Sequence, residues 1–134
     1  MAKPTVFISY DYDHDRHYKN LLLAWDKNKE FDFTFYDSSV DVSVDSNDVA
    51  AVRRVISARI NASTRFLCIV GQYTHKSTWV DWEIKKAIEL NKKLVGVKIN
   101  RSYTSPSALL GVGANWALSS TFDSIKDALK CTAE

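Results

Sequence analysis

Long apolar runs are missing from this 134-residue chain. No stretch approaches the ~18 residues of a membrane span, and the N-terminus has no signal-peptide core. A cytoplasmic protein without a membrane partner is the expectation. Cysteine is scarce: Cys68 and Cys131 stand far apart and in no ligand-like spacing. That fits a reduced compartment, with Cys68 as a small core residue. A surplus of one charge is also missing, since 18 basic residues face 16 acidic ones for a net charge of +2. Dedicated nucleic-acid binding needs a basic excess for phosphate contacts, so no nucleic-acid partner is expected. Repeats, low-complexity tracts and linkers are absent too. With 46% hydrophobic residues, the chain reads as a single globular domain over residues 1–134.

Several familiar site motifs are incomplete. Asp11-Tyr12-Asp13-His14-Asp15 opens like a calcium loop. Arg16 and Leu22 occupy the positions where an EF-hand needs glycine and glutamate. The segment reads instead as a solvated loop with Asp15 as a helix N-cap. Gly71-Gln72 stands where a receiver domain would carry its phosphoacceptor aspartate. Gly111-Val112-Gly113 is followed by Ala114-Asn115-Trp116 and does not complete a dinucleotide fingerprint. No Walker loop and no G-x-S-x-G elbow occur. His14, His17 and His75 lack spaced ligand partners, so no metal site is expected.

What is present is an alternation of short β-rich runs with helical segments. Strands are expected at Thr5–Tyr10, Phe31–Tyr36, Arg65–Val70 and Leu94–Ile99, with an edge strand near Asn115–Leu118. Between them lie a helix from Asp15 to about Lys27 and one capped by Ser46 or Asn47, carrying Val49, Val52, Ile56 and Ile60. A third helix is expected from about Thr78 to Asn91. A polar loop covers Asp37–Ser46, a helical turn follows Pro106, and a last helix covers Phe122–Lys130. Such alternation implies right-handed crossovers and a mainly parallel sheet. The expected fold is a flavodoxin-like three-layer α/β/α sandwich with five strands in the order 2-1-3-4-5. Ligands then bind beyond the carboxyl ends of the strands, among the loops after Tyr10, Tyr36 and Gly71.

One segment at that edge stands out: Ser77-Thr78-Trp79-Val80-Asp81-Trp82-Glu83-Ile84. Val80, Ile84, Ala87, Ile88 and Asn91 define the sheet-facing side of the third helix. Glu83 lies roughly 80° from its centre, on the border between core and solvent, with Trp79 one turn earlier on the same flank. A carboxylate beside an aromatic plane can hold a flat ring and oppose positive charge developing next to it. An ordinary acid near a helix start beside a core-covering Trp fits the same pattern.

These residues resemble a known family. Val6-Phe7-Ile8-Ser9-Tyr10 and the acidic segment after it look like the first motif of TIR domains. Ser77-x-Trp79-Val80-x-x-Glu83 looks like their third-helix motif, which carries the catalytic glutamate of the NAD-cleaving members. The similarity spans roughly residues 4–100 and is nearest the TIR-like subunit of bacterial Thoeris antiphage systems. Trp79-Val80-x-x-Glu83-Ile84 followed by Lys92-Lys93-Leu94-Val95-Gly96-Val97 carries it. Tyr36-Asp37-Ser38-Ser39 matches the second-strand motif loosely. The Arg-Asp-x-x-Pro-Gly character of many TIR–TIR contacts is missing, and Trp116 is a loose counterpart of the late Phe-Trp motif.

The resemblance implies cleavage of the nicotinamide–ribose bond of NAD, with NAD as substrate and no cofactor. The products would be nicotinamide and a cyclic or conjugated ADP-ribose signal that activates a separate effector. Glu83 would be catalytic, Trp79 would stack a ring, and Phe7, Ser9, Tyr10, Asp11, Asp37 and Ser38 would line the nucleotide site. Self-association through TIR–TIR contacts and a phage-derived trigger are further implied partners. One carboxylate suffices chemically, because nicotinamide departs from a pyridinium as a neutral base and needs no general acid. Two other function classes stay open at the level of sequence. One is a non-catalytic TIR-type interaction module; the other is a flavodoxin-like domain that binds a nucleotide or flavin without cleaving it.

Overall fold

The computed structural model describes residues 5–27, 34–36, 49–117, 125 and 128. In chain order the elements are β1 (Thr5–Ser9), α1 (Tyr12–Lys27), β2 (Thr34–Tyr36), α2 (Val49–Ala62), β3 (Arg65–Val70), α3 (Thr78–Glu89), β4 (Lys93–Lys98) and β5 (Asn115–Ala117). Short 3-10 turns at Thr74–Lys76 and Ser107–Leu109 precede α3 and follow Pro106. Among the described residues the sheet runs β2-β1-β3-β4-β5 with every pair parallel, as expected from the sequence.

Side chains of a strand alternate between the two faces of a sheet, so both faces of this one need apolar residues. Val6, Ile8, Leu67, Ile69, Val95 and Val97 point to one side, where Ile125 and Ala128 close over them and Tyr18 and Leu23 of α1 pack at the margin. Phe7, Phe66, Cys68 and Val70 point to the other, under Val52, Ile56 and Ile60 of α2 and Val80, Ile84 and Ala87 of α3. The result is the three-layer arrangement. Phe7 and Phe66 are opposite each other in register and stack at 5.6 Å. Full burial of a Phe stabilises by about 1.5–3 kcal/mol. Among the described residues no helix is long and apolar enough to cross a membrane.

Two helix boundaries differ from the expected ones. Helix α1 begins at Tyr12 rather than beyond Asp15, because the Asp11 carbonyl accepts the His14 and Asp15 amides at 3.2 and 2.8 Å. Helix α3 ends at Glu89. Asn91 adopts φ 59° and donates to the Ile88 carbonyl, while Lys92 donates to that of Ala87. This is a Schellman stop with asparagine in the left-handed position. In β4, Gly96 is required by its partner Trp116, whose ring lies 2.5 Å from where a Cβ would stand. Residues 31–33, Asp37–Ser46 and the Ser46 or Asn47 cap lie outside the described residues. Of the expected last helix, Ile125 and Ala128 are described, both helical and buried.

Candidate active site

The site is built where β1, β3 and α3 meet at the carboxyl edge of the sheet. Ser77 caps α3, its hydroxyl accepting the Val80 amide at 3.2 Å. That cap fixes where the helix starts, and so which face carries Glu83. Ser9, the last residue of β1, shares the Phe7 face of the strand and therefore points toward α3. Its Oγ donates to Glu83 Oε1 at 2.9 Å. The sequence put Glu83 at the border of core and solvent. In the structure it is buried, at 6% exposure, because the helix packs closely over the end of β1.

A carboxylate is costly to bury, and Ser9 is the one hydrogen-bond partner of Glu83 among the described residues. Burial pushes its carboxyl up to about 8, and the Ser9 hydrogen bond restrains that rise. Cys68 sits beside Ser9 in the β1–β3 register. Burial, then the charges of Glu83 and Asp15, push its thiol upward, so it stays an un-ionised core residue as expected. Replacing Ser9 by Ala removes the hydroxyl that holds Glu83 down. The Glu83 titration should move to higher pH, read by NMR of the side-chain carboxyl. Unfolding in urea at pH 8.5 should show a loss of about 1–3 kcal/mol. An unmoved titration would detach Ser9 from the carboxylate.

A second carboxylate is buried near the same end of β3. Asp15 is not a solvated N-cap: its side chain turns inward from the first turn of α1 and is 4% exposed. Its Oδ2 accepts the Thr74 hydroxyl at 3.1 Å, and Thr74 Oγ1 accepts the Gly71 amide at 2.8 Å. Burial raises the Asp15 carboxyl, the Thr74 hydrogen bond opposes this, and the nearby Asp11 charge adds to the rise. The carboxylate lies against the Gly71 α-carbon, where a Cβ would meet Asp15 Oδ1 at 2.2 Å. Thr74 in turn ties to α3, since its carbonyl accepts the Ser77 amide at 3.0 Å. Asp15, Thr74 and Gly71 thus anchor the loop that sets the start of α3.

The remaining expected site residues divide. Asp11 stays at the same edge, its Oδ2 2.7 Å from His14 Nδ1, with the His14 ring against Tyr73 at 4.6 Å. Phe7 is wholly buried in the core under α2 and α3, stacked on Phe66. Tyr10 turns to the opposite face, buried in the α1-side core with Lys19 Nζ 5.6 Å from its ring centroid. Trp79 is half-buried on the α3 flank, edge-to-face with Trp82 at 6.1 Å. Asp37 and Ser38 lie outside the described residues. Among the described residues no group of three or more His, Cys, Asp or Glu side chains could hold a metal ion. Two features escaped the sequence: the Asp15–Thr74–Gly71 anchor, and Arg53 of α2, whose guanidinium lies over both Trp79 and Trp82.

A parallel sheet in this order, with a Ser-capped third helix presenting Glu83 to the end of β1, defines a TIR-like domain. Residues 7–104 match the family of the Thoeris protein ThsB, TIR-like domain, and the chain belongs to that family. It is 29% identical over 65 residues to ThsB1 of Bacillus cereus (strain MSX-D12), which is named as a cyclic ADP-D-ribose synthase. That match covers 48% of this chain and 34% of the relative, so the matched part is about a third of the relative's length. Among solved structures, the chain resembles the CMP N-glycosidase BcmB of Clostridium botulinum with TM-score 0.61 at 14% identity. That match covers 95% of this chain and 97% of the other. It also resembles a 2-desoxiribosyltransferase from Leishmania mexicana, with TM-score 0.61 at 15% identity over 94% and 95% of the two chains. At these identities the solved structures share the fold.

Proposed function

We propose that this domain cleaves the nicotinamide–ribose bond of NAD, with Glu83 as the group that stabilises the transition state. The observation that carries the reading is the buried Glu83 carboxyl, held by Ser9 at the ligand edge of the sheet. Its placement in a ThsB-type TIR domain, and the name of the Bacillus cereus relative, support NAD as the substrate.

The chemistry follows from the inventory. The C1′–N bond breaks with its electron pair passing to the nicotinamide nitrogen, so the leaving group departs neutral. Positive charge develops on the ribose, and a carboxylate in a low-dielectric site opposes it far more strongly than water would. A hydroxyl or ring nitrogen of the adenosine half then captures C1′, and a hydroxyl loses its proton as it does so. Trp79 would stack the nicotinamide ring or the base that replaces it, and help keep water from competing. The product is a cyclic or conjugated ADP-ribose that acts as a signal in bacterial antiphage defence. It reaches a separate effector, after self-association prompted by a phage-derived trigger.

The protonation state of Glu83 makes this testable. In the empty site a carboxyl titrating at about 8 is mostly neutral at pH 7. The cationic nicotinamide ring favours the ionised form, so substrate binding drives the proton off. The kcat/KM of nicotinamide release should rise with pH through a midpoint near pH 8 and level off above it, reporting the free protein. The kcat profile should level off at lower pH, reporting the complex. Identical profiles for the two constants would remove Glu83 ionisation from the mechanism.

A further inference from the structure

Arg53 stands in the second turn of α2, next to the core residue Val52, and α2 starts at the same carboxyl edge as α3. Its Cζ is 5.8 Å from the Trp79 ring centroid and 5.5 Å from that of Trp82. The two indoles meet at 83°, so they form a corner that holds the guanidinium against apolar surface. Arg53 is nonetheless an exposed residue. Among the described residues no carboxylate answers its charge: the ion pairs of α3 join Lys85 to Asp81 and Lys86 to Glu89, and neither involves Arg53. Lys86 also lies over Trp82, at 5.8 Å, but its charge is already paired.

An exposed arginine set against two aromatic faces, with no carboxylate partner among the described residues, is suited to receive an anion that accepts two parallel hydrogen bonds. Trp79 is one helical turn before Glu83, so this guanidinium lies on the flank of α3 that carries both residues. We infer that Arg53 is the anchor for the pyrophosphate of the dinucleotide. The choice of ligand rests on the NAD-cleaving function proposed above. The pyrophosphate hangs from C5′ of the ribose whose C1′ reacts, so an anchor on the same flank of α3 as Glu83 suits the layout of the substrate. Arg53 is then a positioning residue: it fixes the ribose against Glu83 without touching the reacting atoms.

The test uses ADP-ribose, which keeps the pyrophosphate and cannot release nicotinamide, titrated against the full chain by tryptophan fluorescence. Arg53→Ala should raise the Kd by about 10- to 100-fold, the range of a charge-assisted bidentate contact. Arg53→Lys should recover part of that loss. Equal Kd values for wild type and Arg53→Ala, with circular dichroism unchanged, would overturn the assignment. Kinetics separate the two claims. With NAD, Arg53→Ala should raise KM and spare kcat, while with nicotinamide riboside, which has no phosphate, it should change neither. An equal loss on both substrates would make Arg53 a structural residue only. Intact, Arg53-dependent ADP-ribose binding in a protein that never cleaves NAD would sink the cleavage reading and keep the anchor.

Discussion

Replacing Glu83 by Gln is expected to lower nicotinamide release by about 10³-fold or more, and to make the protein more stable above pH 7. The two effects have one origin. Gln keeps the size of the side chain and an oxygen to accept the Ser9 hydroxyl, so the packing of α3 on β1 survives. It removes the negative charge that would oppose the developing oxocarbenium. It also removes a group the fold keeps in the wrong protonation state at alkaline pH. Between about pH 4.5 and 8 the folded protein holds a proton on Glu83 that the unfolded chain has lost. Stability therefore falls as pH rises through that window, and the loss is complete above it. Gln has no such dependence. The melting temperatures of wild type and variant should coincide near pH 5 and separate by roughly 5–10 °C at pH 8.5, with the variant higher. Asp15, also raised, adds a slope of the same sign to both proteins and cancels in the difference. A variant less stable than wild type at pH 8.5 would mean that Glu83 is a structural acid.

Gly71→Ala is expected to be the most damaging small substitution at the site. The new Cβ would stand 2.2 Å from Asp15 Oδ1 and 2.5 Å from its Cγ. That carboxylate cannot swing into solvent without leaving Thr74, whose hydroxyl also receives the Gly71 amide. Either the β3 end or the first turn of α1 must give way. A cost of about 3 kcal/mol, seen as a fall in melting temperature of roughly 10 °C, is the scale for such overpacking. Activity should fall as well, because Thr74 is tied through Ser77 to the start of α3. Asp15→Ala in the same chain removes the clashing atoms, so the double variant should lose less than the sum of the two single losses. Additive losses, or a Gly71→Ala protein that melts with wild type, would show that the two groups do not contend for one space.

The sheet was legible because strands buried on both faces leave continuous apolar runs, as in Val6–Ile8 and Phe66–Val70, and these stay visible without long-range information. Ser77, Trp79 and Glu83 were legible because helical spacing and a family motif agree on them. The depth of Glu83 was not. Helical angle places a residue around an axis, but burial depends on how closely α3 approaches the end of β1. Asp15 was misread for a related reason: a short acid near a helix start is most often a cap, and only tertiary contact with Thr74 and Gly71 makes it a core group. Arg53 carried no local signal at all. Its partners lie 26 and 29 residues along the chain, and the pairing exists only once α2 and α3 pack side by side. Tyr10 was assigned to the site by its place after Ser9, yet strand alternation sends neighbours to opposite faces.

The most direct measurement is incubation of the purified protein and its Glu83→Gln variant with NAD, at high protein concentration, with products identified by mass spectrometry. The expected result is nicotinamide and an ADP-ribose-derived product from the wild type, with NAD left intact by the variant. Nicotinamide released equally by both proteins would contradict the central role given to Glu83.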